Sequence, residues 1–192
     1  MTTAFVLGNG RSRLAVDLNS LKTHGKIYGC NALYREFTPD VLVATDPGIS
    51  EEIQRSGYSL KNEFHTRKPI DDLGAIKLTR HYGYSSGPNA LFLALQRGAE
   101  KIFMLGFDLD SPGDGRFNNV YAGTEFYKPS GSDQTYYGNW VQQIAEISKG
   151  ETAQIVRVND SNVFPDAWQG IIREVKMIQF LDAINNCKLE AL

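Results

Sequence analysis

Short apolar runs recur along this chain, and most of them end in glycine, asparagine or aspartate. Six of these runs are rich in Val, Ile, Leu, Tyr and Phe, and they predict β-strands at residues 4–7, 26–34, 39–46, 75–81, 101–109 and 154–160. Their apolar residues do not alternate strictly with polar ones, as expected for a parallel sheet that helices cover on both faces. The pattern therefore predicts an α/β fold with a mainly parallel sheet.

Three stretches have helical spacing. Residues 88–98 are apolar almost all round and predict a buried helix, which can begin near Pro88 and close at Gly98 with a positive φ. Residues 137–150 and 168–185 place charged residues between apolar ones, so each predicts a helix with one face on the core.

Residues 111–134 have a different composition, dense in Gly, Pro, Asn, Asp and aromatic residues. Loops of this length without regular structure are usually functional or mobile, so we interpret this insertion as a lid or pocket wall. The alternative is a surface loop whose aromatic residues only pin it down. Without an internal repeat or linker, the sequence predicts a single domain over residues 1–192.

Composition narrows the class of protein. The 192 residues are 42% hydrophobic and 22% charged, as in globular domains, and no apolar run approaches the roughly 20 residues that cross a bilayer. The start lacks signal-peptide features, and Cys30 and Cys187 form neither a disulfide framework nor a metal motif. The net charge of −2 argues against a broad nucleic-acid surface. We expect a soluble, cytoplasmic protein without a membrane span, and a homo-oligomer is compatible with the sequence.

The predicted fold also indicates where chemistry could occur. In open parallel sheets, ligands bind at the carboxyl ends of the strands, near the point where strand order reverses. Polar residues and glycines at these ends form the candidate site: Gly8, Asn9, Gly10, Arg11, Ser12, Asn31, Thr45, Asp46, Ser85, Ser86, Gly87, Asp108, Asp110, Asn159 and Asp160.

The first of these strand ends is the glycine-rich stretch GNGRS, residues 8–12. Glycine permits close backbone approach to a ligand and positive φ angles, and Arg11 could hold a phosphate with its fork of donors. The alternative is a tight turn in which Asn9 bonds its own backbone and Arg11 is solvated.

A second candidate site is SSG, residues 85–87, directly before the buried helix. The amide groups of a helix start carry partial positive charge, which suits a phosphate or a carboxylate. The alternative is plain N-capping by Ser85 or Ser86.

Acidic residues supply the candidates for catalysis and metal binding. Asp46 and Asp108 follow hydrophobic strands, where a carboxylate is costly unless solvated, paired or bound, and Asp110 can join Asp108. Each could bind a ribose hydroxyl or a divalent ion such as Mg²⁺, or serve as a loop cap or salt-bridge partner. The three histidines show no metal-binding spacing, and His81 is the one that could act as a base.

The stretches GNGRS, GCNALY, PDVLVATD and SSGPNALFLALQRGAEKIFMLGFDLD together resemble a Rossmann-type superfamily. It joins bacterial sialyltransferases of the Campylobacter type with 6-hydroxymethylpterin diphosphokinase-like (MptE-like) proteins. The sialyltransferase branch implies a nucleotide sugar of the CMP type, bound by the residues that match its motifs: Gly8, Asn9, Gly10, Asn31, Ser85, Ser86, Gly87 and Asp108. The resemblance also implies that tyrosines of the following segment close over the phosphate or sugar, with Tyr121, Tyr127, Tyr136 and Tyr137 as candidates. Tyr127 is in addition a catalytic candidate, because an acidic or tyrosine residue of this segment would assist the acceptor hydroxyl.

The chain departs from that branch because no histidine follows His81, whereas the family's catalytic histidine lies downstream of the G-x-D motif. The diphosphokinase-like branch implies ATP and Mg²⁺ near Asp46, Asp108 and Asp110, where phosphoryl transfer needs mainly positioning and charge neutralisation. The sequence therefore predicts a nucleotide-dependent transferase, with transfer of a glycosyl group to an alcohol acceptor as the first hypothesis. A diphosphokinase and a non-catalytic nucleotide-binding or interaction module are the alternatives.

Overall fold

The computed structural model describes residues 1–83, 85–110 and 115–192, and within these ranges eight strands form one sheet. The strand order is β5-β4-β3-β2-β1-β6-β7-β8, and each neighbouring pair is parallel. The strands are β1 Thr3–Leu7, β2 Lys26–Cys30, β3 Val41–Val43, β4 Phe64–Thr66, β5 Ile76–Lys77, β6 Lys101–Leu105, β7 Gln154–Val158 and β8 Ile172–Val175.

The helices are α1 Leu18–Leu21, α2 Pro47–Arg55, α3 Ser86–Gln96, α4 Gly138–Ser148 and α5 Met177–Asn185. The helices α1 to α4 lie between strands, and α5 follows the last strand, β8. Short 3-10 turns cover Arg11–Ala15, Asn31–Arg35, Tyr58–Leu60, Asp166–Trp168 and Leu189–Ala191. No helix in the described part of the chain is long and apolar enough to cross a membrane.

Two apolar cores lie on opposite faces of the sheet. Alternate residues of β1 point to different cores, Phe5 to the one that includes Phe180 of α5 and Val6 to the one that includes Leu91 of α3. Burying one such large side chain contributes about 1.5–3 kcal/mol. Since helices pack on both faces, the predicted α/β fold with a parallel sheet is confirmed.

Several predicted elements differ from the structure. The segment predicted as a helix from residue 168 contains β8 at Ile172–Val175, and α5 begins only at Met177. The strand β4, Phe64–Thr66, was not predicted, because three residues carry too little periodicity. The predicted second strand stops at Cys30, since Asn31 takes a φ of 55° and turns the chain away from the sheet.

The strand order reverses at β1, which pairs with β2 on one side and with β6 on the other. From β1 the chain moves to β2 on one side, whereas β6 pairs with β1 on the other side. The carboxyl ends of β1 and β6 therefore flank the position at which parallel α/β sheets bind ligands.

Arg157 of β7 holds the loop after β6 beside this point. Its fully buried guanidinium donates to the carbonyl oxygens of Phe107 and Asp108, at 2.9 and 2.7 Å, and to the Glu174 carboxylate at 2.9 Å. Leu109, next in this loop, has a φ of 64°, which a non-glycine residue adopts only when its surroundings impose it. Arg157 thus positions the residues that follow β6.

Candidate functional site

A cleft with a volume of about 160 Å³ opens at the carboxyl edge of the sheet, between the ends of β1 and β6. The loops after β1, β2, β3 and β6 and the start of α3 form its walls, together with residues 117–119, 134–135 and Trp140. It contains ten of the residues predicted from the sequence: Gly8, Asn9, Gly10, Asn31, Asp46, Ser85, Ser86, Gly87, Asp108 and Asp110.

The glycines of the first loop lie against the loop that follows β6. A Cβ atom on Gly8 would lie 2.5 Å from the carbonyl oxygen of Gly106, and one on Gly10 would lie 2.7 Å from the same atom. Glycine is needed here because two backbone segments touch.

Most backbone amides of this loop already have protein partners. Gly8 and Gly10 donate to the carbonyl oxygens of Leu105 and Gly106, and Arg11 donates to Asn118 Oδ1 at 2.9 Å. These N–H groups are therefore not available to cradle a phosphate, and a tight structural turn accounts for them.

The Asp108 carboxylate also binds protein groups. It accepts hydrogen bonds from the amide and hydroxyl of Ser12 and from Nδ2 of Asn118, the latter at 3.0 Å. The residue is buried, with 7% of its surface exposed. Asp108 thus links the loop after β1, the loop after β6 and the insertion.

The two serines before α3 have different roles. Ser86 Oγ accepts from the amide of Thr45 at 3.0 Å and donates to Asn31 Oδ1 at 2.7 Å, so it joins the ends of three elements. Ser85 occupies the N-cap position, yet its side chain makes no capping hydrogen bond. Neither serine therefore caps α3 through its side chain.

Of the two serines, Ser85 has the hydroxyl that is more available to a ligand. It lines the cleft with 9% of its surface exposed, and its hydroxyl has no hydrogen-bond partner among the residues that the structure describes. The amides of Ser86 and Gly87, in the first helical turn, have no partner inside the helix. This end of the cleft wall therefore offers free donors and the positive end of an 11-residue helix.

Asp46 ends the loop after β3 and lines the cleft. Its side chain makes no hydrogen bond to any residue in the described ranges. Partial desolvation raises its pKa, and the nearby positive charge of Arg67 offsets this only in part. Asp46 thus presents an ionisable carboxylate to the cleft.

Asp110 and Cys30 also line the cleft. Burial raises the pKa of the Asp110 carboxyl. Burial raises the pKa of the Cys30 thiol to about 12, and its sulfur lies 3.2 Å from the carbonyl oxygen of Leu7. Cys30 is therefore protonated at neutral pH and suited to packing rather than to nucleophilic attack.

The predicted metal residues do not assemble into a multi-carboxylate centre. In the described part of the chain, no group of three or more His, Cys, Asp or Glu could hold a metal ion. Asp46, Asp108 and Asp110 share the cleft, but Asp108 is already engaged by Ser12 and Asn118.

The insertion contributes amide and aromatic groups to the cleft, from Phe117, Asn118, Asn119 and Gln134, and Thr135 directly after it adds a hydroxyl. Its residues 111–114 lie outside the described residues.

The tyrosines of the insertion point elsewhere. The hydroxyl of Tyr121 donates to Glu36 at 2.6 Å and accepts from Arg13 at 2.7 Å, while Tyr127 Oη accepts from the amide of Ala32. Tyr136 is 77% exposed, and none of Tyr121, Tyr127, Tyr136 and Tyr137 lies in the cleft wall. Tyr121 and Tyr127 pin the insertion to the body of the protein, so the hypothesis that these tyrosines cover a ligand is not supported by their positions.

Six other predicted residues also lie outside the cleft wall: Arg11, Ser12, Thr45, His81, Asn159 and Asp160. Ser12 binds Asp108, and the side chain of Arg11 is exposed. His81 is exposed and lies beyond β5, which ends at Lys77. Since His81 does not line the cleft, the structure does not bring it to the site as a base.

Sequence reasoning missed the aromatic wall of the cleft, which consists of Phe107, Phe117 and Trp140. Trp140 lies in the first turn of α4, and its position in an amphipathic pattern indicated only a core residue. The polar residues 130–135 before that helix were the one signal in the sequence that its start faces a site.

Comparisons of the chain with protein-family models, with curated proteins and with solved structures find no match. What the cleft can do chemically follows from its own groups. It combines a helix start with free donors, an ionisable carboxylate and an aromatic wall, which suits a ligand with an anionic part and a flat apolar part.

Proposed function

We propose that this protein is a nucleotide-dependent transferase that moves a glycosyl group from a nucleotide-activated sugar to an alcohol. The observation that carries the proposal is the start of α3 at the strand-order reversal. Its first amides have no partner inside the helix, and the Ser85 hydroxyl, which lines the cleft, has no hydrogen-bond partner among the described residues.

The start of α3 would hold the phosphate of the nucleotide. The N–H groups of Ser86 and Gly87 and the hydroxyl of Ser85 are three donors for phosphate oxygens. The partial positive charge of the helix start favours the anion in the donor complex, and it also stabilises the negative charge that develops on the leaving phosphate.

Asp46 would act as the general base. The acceptor oxygen forms a bond to the anomeric carbon, the bond from that carbon to the phosphate oxygen breaks, and the electron pair leaves with the nucleotide. The acceptor's proton passes to the Asp46 carboxylate. A raised pKa makes a carboxylate a better base, and removing such a base typically costs about 10²–10⁴ in rate.

A second cavity lies next to Asp46, and we place the acceptor there. It is lined by both chain neighbours of Asp46, Thr45 and Pro47, and by Thr66, Arg67 and Lys68. An alcohol in this cavity would reach Asp46 from the side opposite to the aromatic wall.

Diphosphate transfer from ATP with Mg²⁺ is the second candidate. It is favoured by the carboxylates of Asp46 and Asp110, which line the same cleft. Mg²⁺ commonly uses one or two carboxylates together with substrate phosphates, so these two residues would fit the ion. The ion would neutralise phosphate charge, and Asp46 and Asp110 would orient it.

Consumption of a nucleotide sugar by the purified protein tests the proposed function. Purified protein is incubated with CMP-, UDP- and GDP-activated sugars and a mixture of small alcohols, and free nucleotide is measured by chromatography, with ATP and Mg²⁺ in parallel. We expect one nucleotide sugar to be consumed, and we expect Asp46→Asn to slow this about 100-fold or more while nucleotide binding is kept.

A matched control is Asp71→Asn, which removes an exposed carboxylate outside the cleft and should leave the rate unchanged. Consumption of ATP alone would support the diphosphokinase instead. Failure to consume any donor would argue for a non-catalytic nucleotide-binding module.

A further inference from the structure

The two ends of the cleft differ in chemistry, because the strand order places β6 on one side of β1 and β2 and β3 on the other. The β6 end carries Phe107; Trp140 packs on the core that includes Phe107, and Phe117 is next to Asn118, which binds Asp108. The opposite end is polar, with Asn31 after β2 and Asp46 after β3. An elongated ligand in this cleft would therefore meet different groups at its two ends.

The start of α3 lies between these ends. On one side, Ser86 bonds Thr45 and Asn31. On the other side, Gly87 lies against the ring of Phe107, since a Cβ atom on Gly87 would lie 3.0 Å from Phe107 Cε1. The free amides and the Ser85 hydroxyl thus occupy the middle of the cleft.

A nucleotide donor has the same order of chemistry, with a flat base at one end, phosphate in the middle and the transferable group at the other end. Building on the proposed function, we infer that the nucleotide binds in one direction, with its base stacked on Trp140 and its transferable group directed to Asp46. This direction places the scissile bond beside the carboxylate that receives the proton.

Trp140 is suited to this contact and to its measurement. It is partly buried against the core formed with α3, and one part of it lines the cleft. The other tryptophan of the chain, Trp168, is fully buried and donates to the carbonyl oxygen of Val141 at 3.0 Å. Stacking of a base should therefore quench the fluorescence of Trp140 and leave that of Trp168 unchanged.

The experiment titrates the protein with CMP, UDP, GDP and ADP, and separately with inorganic pyrophosphate, while tryptophan fluorescence and thermal stability are followed. We expect the nucleotide that stabilises the protein most to quench fluorescence, and pyrophosphate to stabilise without quenching. In Trp140→Phe the quenching should disappear. In Trp140→Ala the nucleotide should bind about 5- to 150-fold more weakly, the range expected for loss of one base stack, with pyrophosphate binding unchanged.

Tyr136→Ala is the matched control, since Tyr136 is an exposed aromatic residue four positions before Trp140 and outside the cleft wall. It should bind nucleotide like the wild type. Stabilisation by a nucleotide without quenching, and with equal affinity in Trp140→Ala, would overturn the direction of binding and leave the proposed function standing. Stabilisation by no nucleotide at all would overturn both.

Discussion

The Asp108 carboxylate accepts hydrogen bonds from both the backbone amide and the side-chain hydroxyl of Ser12, although 96 residues separate the two in the chain. This contact joins the loop after β1 to the loop after β6 at the point where strand order reverses. Because Asn118 donates to the same carboxylate, the insertion is attached there too. Asp108 therefore builds the cleft, and other groups are left to bind the ligand.

Replacing Asp108 with Asn tests this role. The amide keeps the shape but replaces one of the two carboxylate oxygens with an NH₂ donor. Ser12 donates to both oxygens and Asn118 donates to one of them, so at least one of these hydrogen bonds loses its acceptor. We expect the free energy of unfolding to fall by about 1–3 kcal/mol, the usual cost of unsatisfied buried donors. Denaturant titration measures this, with exposed Asp71→Asn as the control, expected within about 0.5 kcal/mol of the wild type. Equal stability of the two variants would contradict the role.

The contact of the two loops makes a prediction for Gly10. A Cβ atom there would lie 2.5 Å from Asp108 Cγ, so Gly10→Ala must displace the Asp108 side chain or the loop. We expect a loss of about 1–3 kcal/mol in the free energy of unfolding, as for overpacked cores. Gly131→Ala is the control, because a Cβ atom at Gly131 meets no atom within 4 Å. Thermal unfolding of both variants measures this loss. A Gly10→Ala variant as stable as the wild type would contradict the predicted steric conflict.

The adjacent serines before α3 provide an internal comparison. Ser86→Ala removes the hydrogen bonds to Thr45 and Asn31, so it should cost about 1–3 kcal/mol of stability. Ser85→Ala removes a hydroxyl without a partner in the described residues, so stability should change little while nucleotide affinity falls. Calorimetric titration with the stabilising nucleotide, together with denaturant unfolding, separates the two effects. A loss of stability in Ser85→Ala and a loss of nucleotide affinity alone in Ser86→Ala would contradict this assignment of the two serines.

Glu36 predicts how stability depends on pH. Burial alone would raise its pKa, but the hydrogen bonds from Tyr121 and Arg13 outweigh burial and lower the pKa below the ordinary value of 4.5. Since the unfolded chain takes up this proton more readily, the stabilisation is present above pH 4.5 and is lost as pH falls through the lowered pKa. Glu36→Gln should flatten this acid dependence in unfolding experiments between pH 3 and 6, whereas exposed Glu125→Gln should keep it. An unchanged acid dependence in Glu36→Gln would refute the assignment.

The sequence predicted the sheet well because apolar runs that end in Gly, Asn or Asp are a local signal. It did not predict β8, since Ile172–Val175 has a helical neighbour in sequence and becomes a strand only by pairing with β7. Within the site, residue type indicated Asp46 and Asp108 as candidates. It did not indicate that Ser12 and Asn118 donate hydrogen bonds to Asp108 and leave Asp46 without such a bond. Such partners are distant in sequence, so only the folded chain reveals which carboxylate stays free.

The central claim is that the cleft binds a nucleotide, and a thermal-shift panel tests it most directly. CMP, CDP, UDP, GDP, ADP and ATP are added to the purified protein, each with and without Mg²⁺. A ligand at 100 times its Kd adds about 2.7 kcal/mol to the free energy of unfolding. For a chain of this size that corresponds to a rise in Tm of about 5–11 °C. We predict such a rise for one nucleotide, and a smaller one in Ser85→Ala. A panel in which no nucleotide changes the Tm would contradict the account.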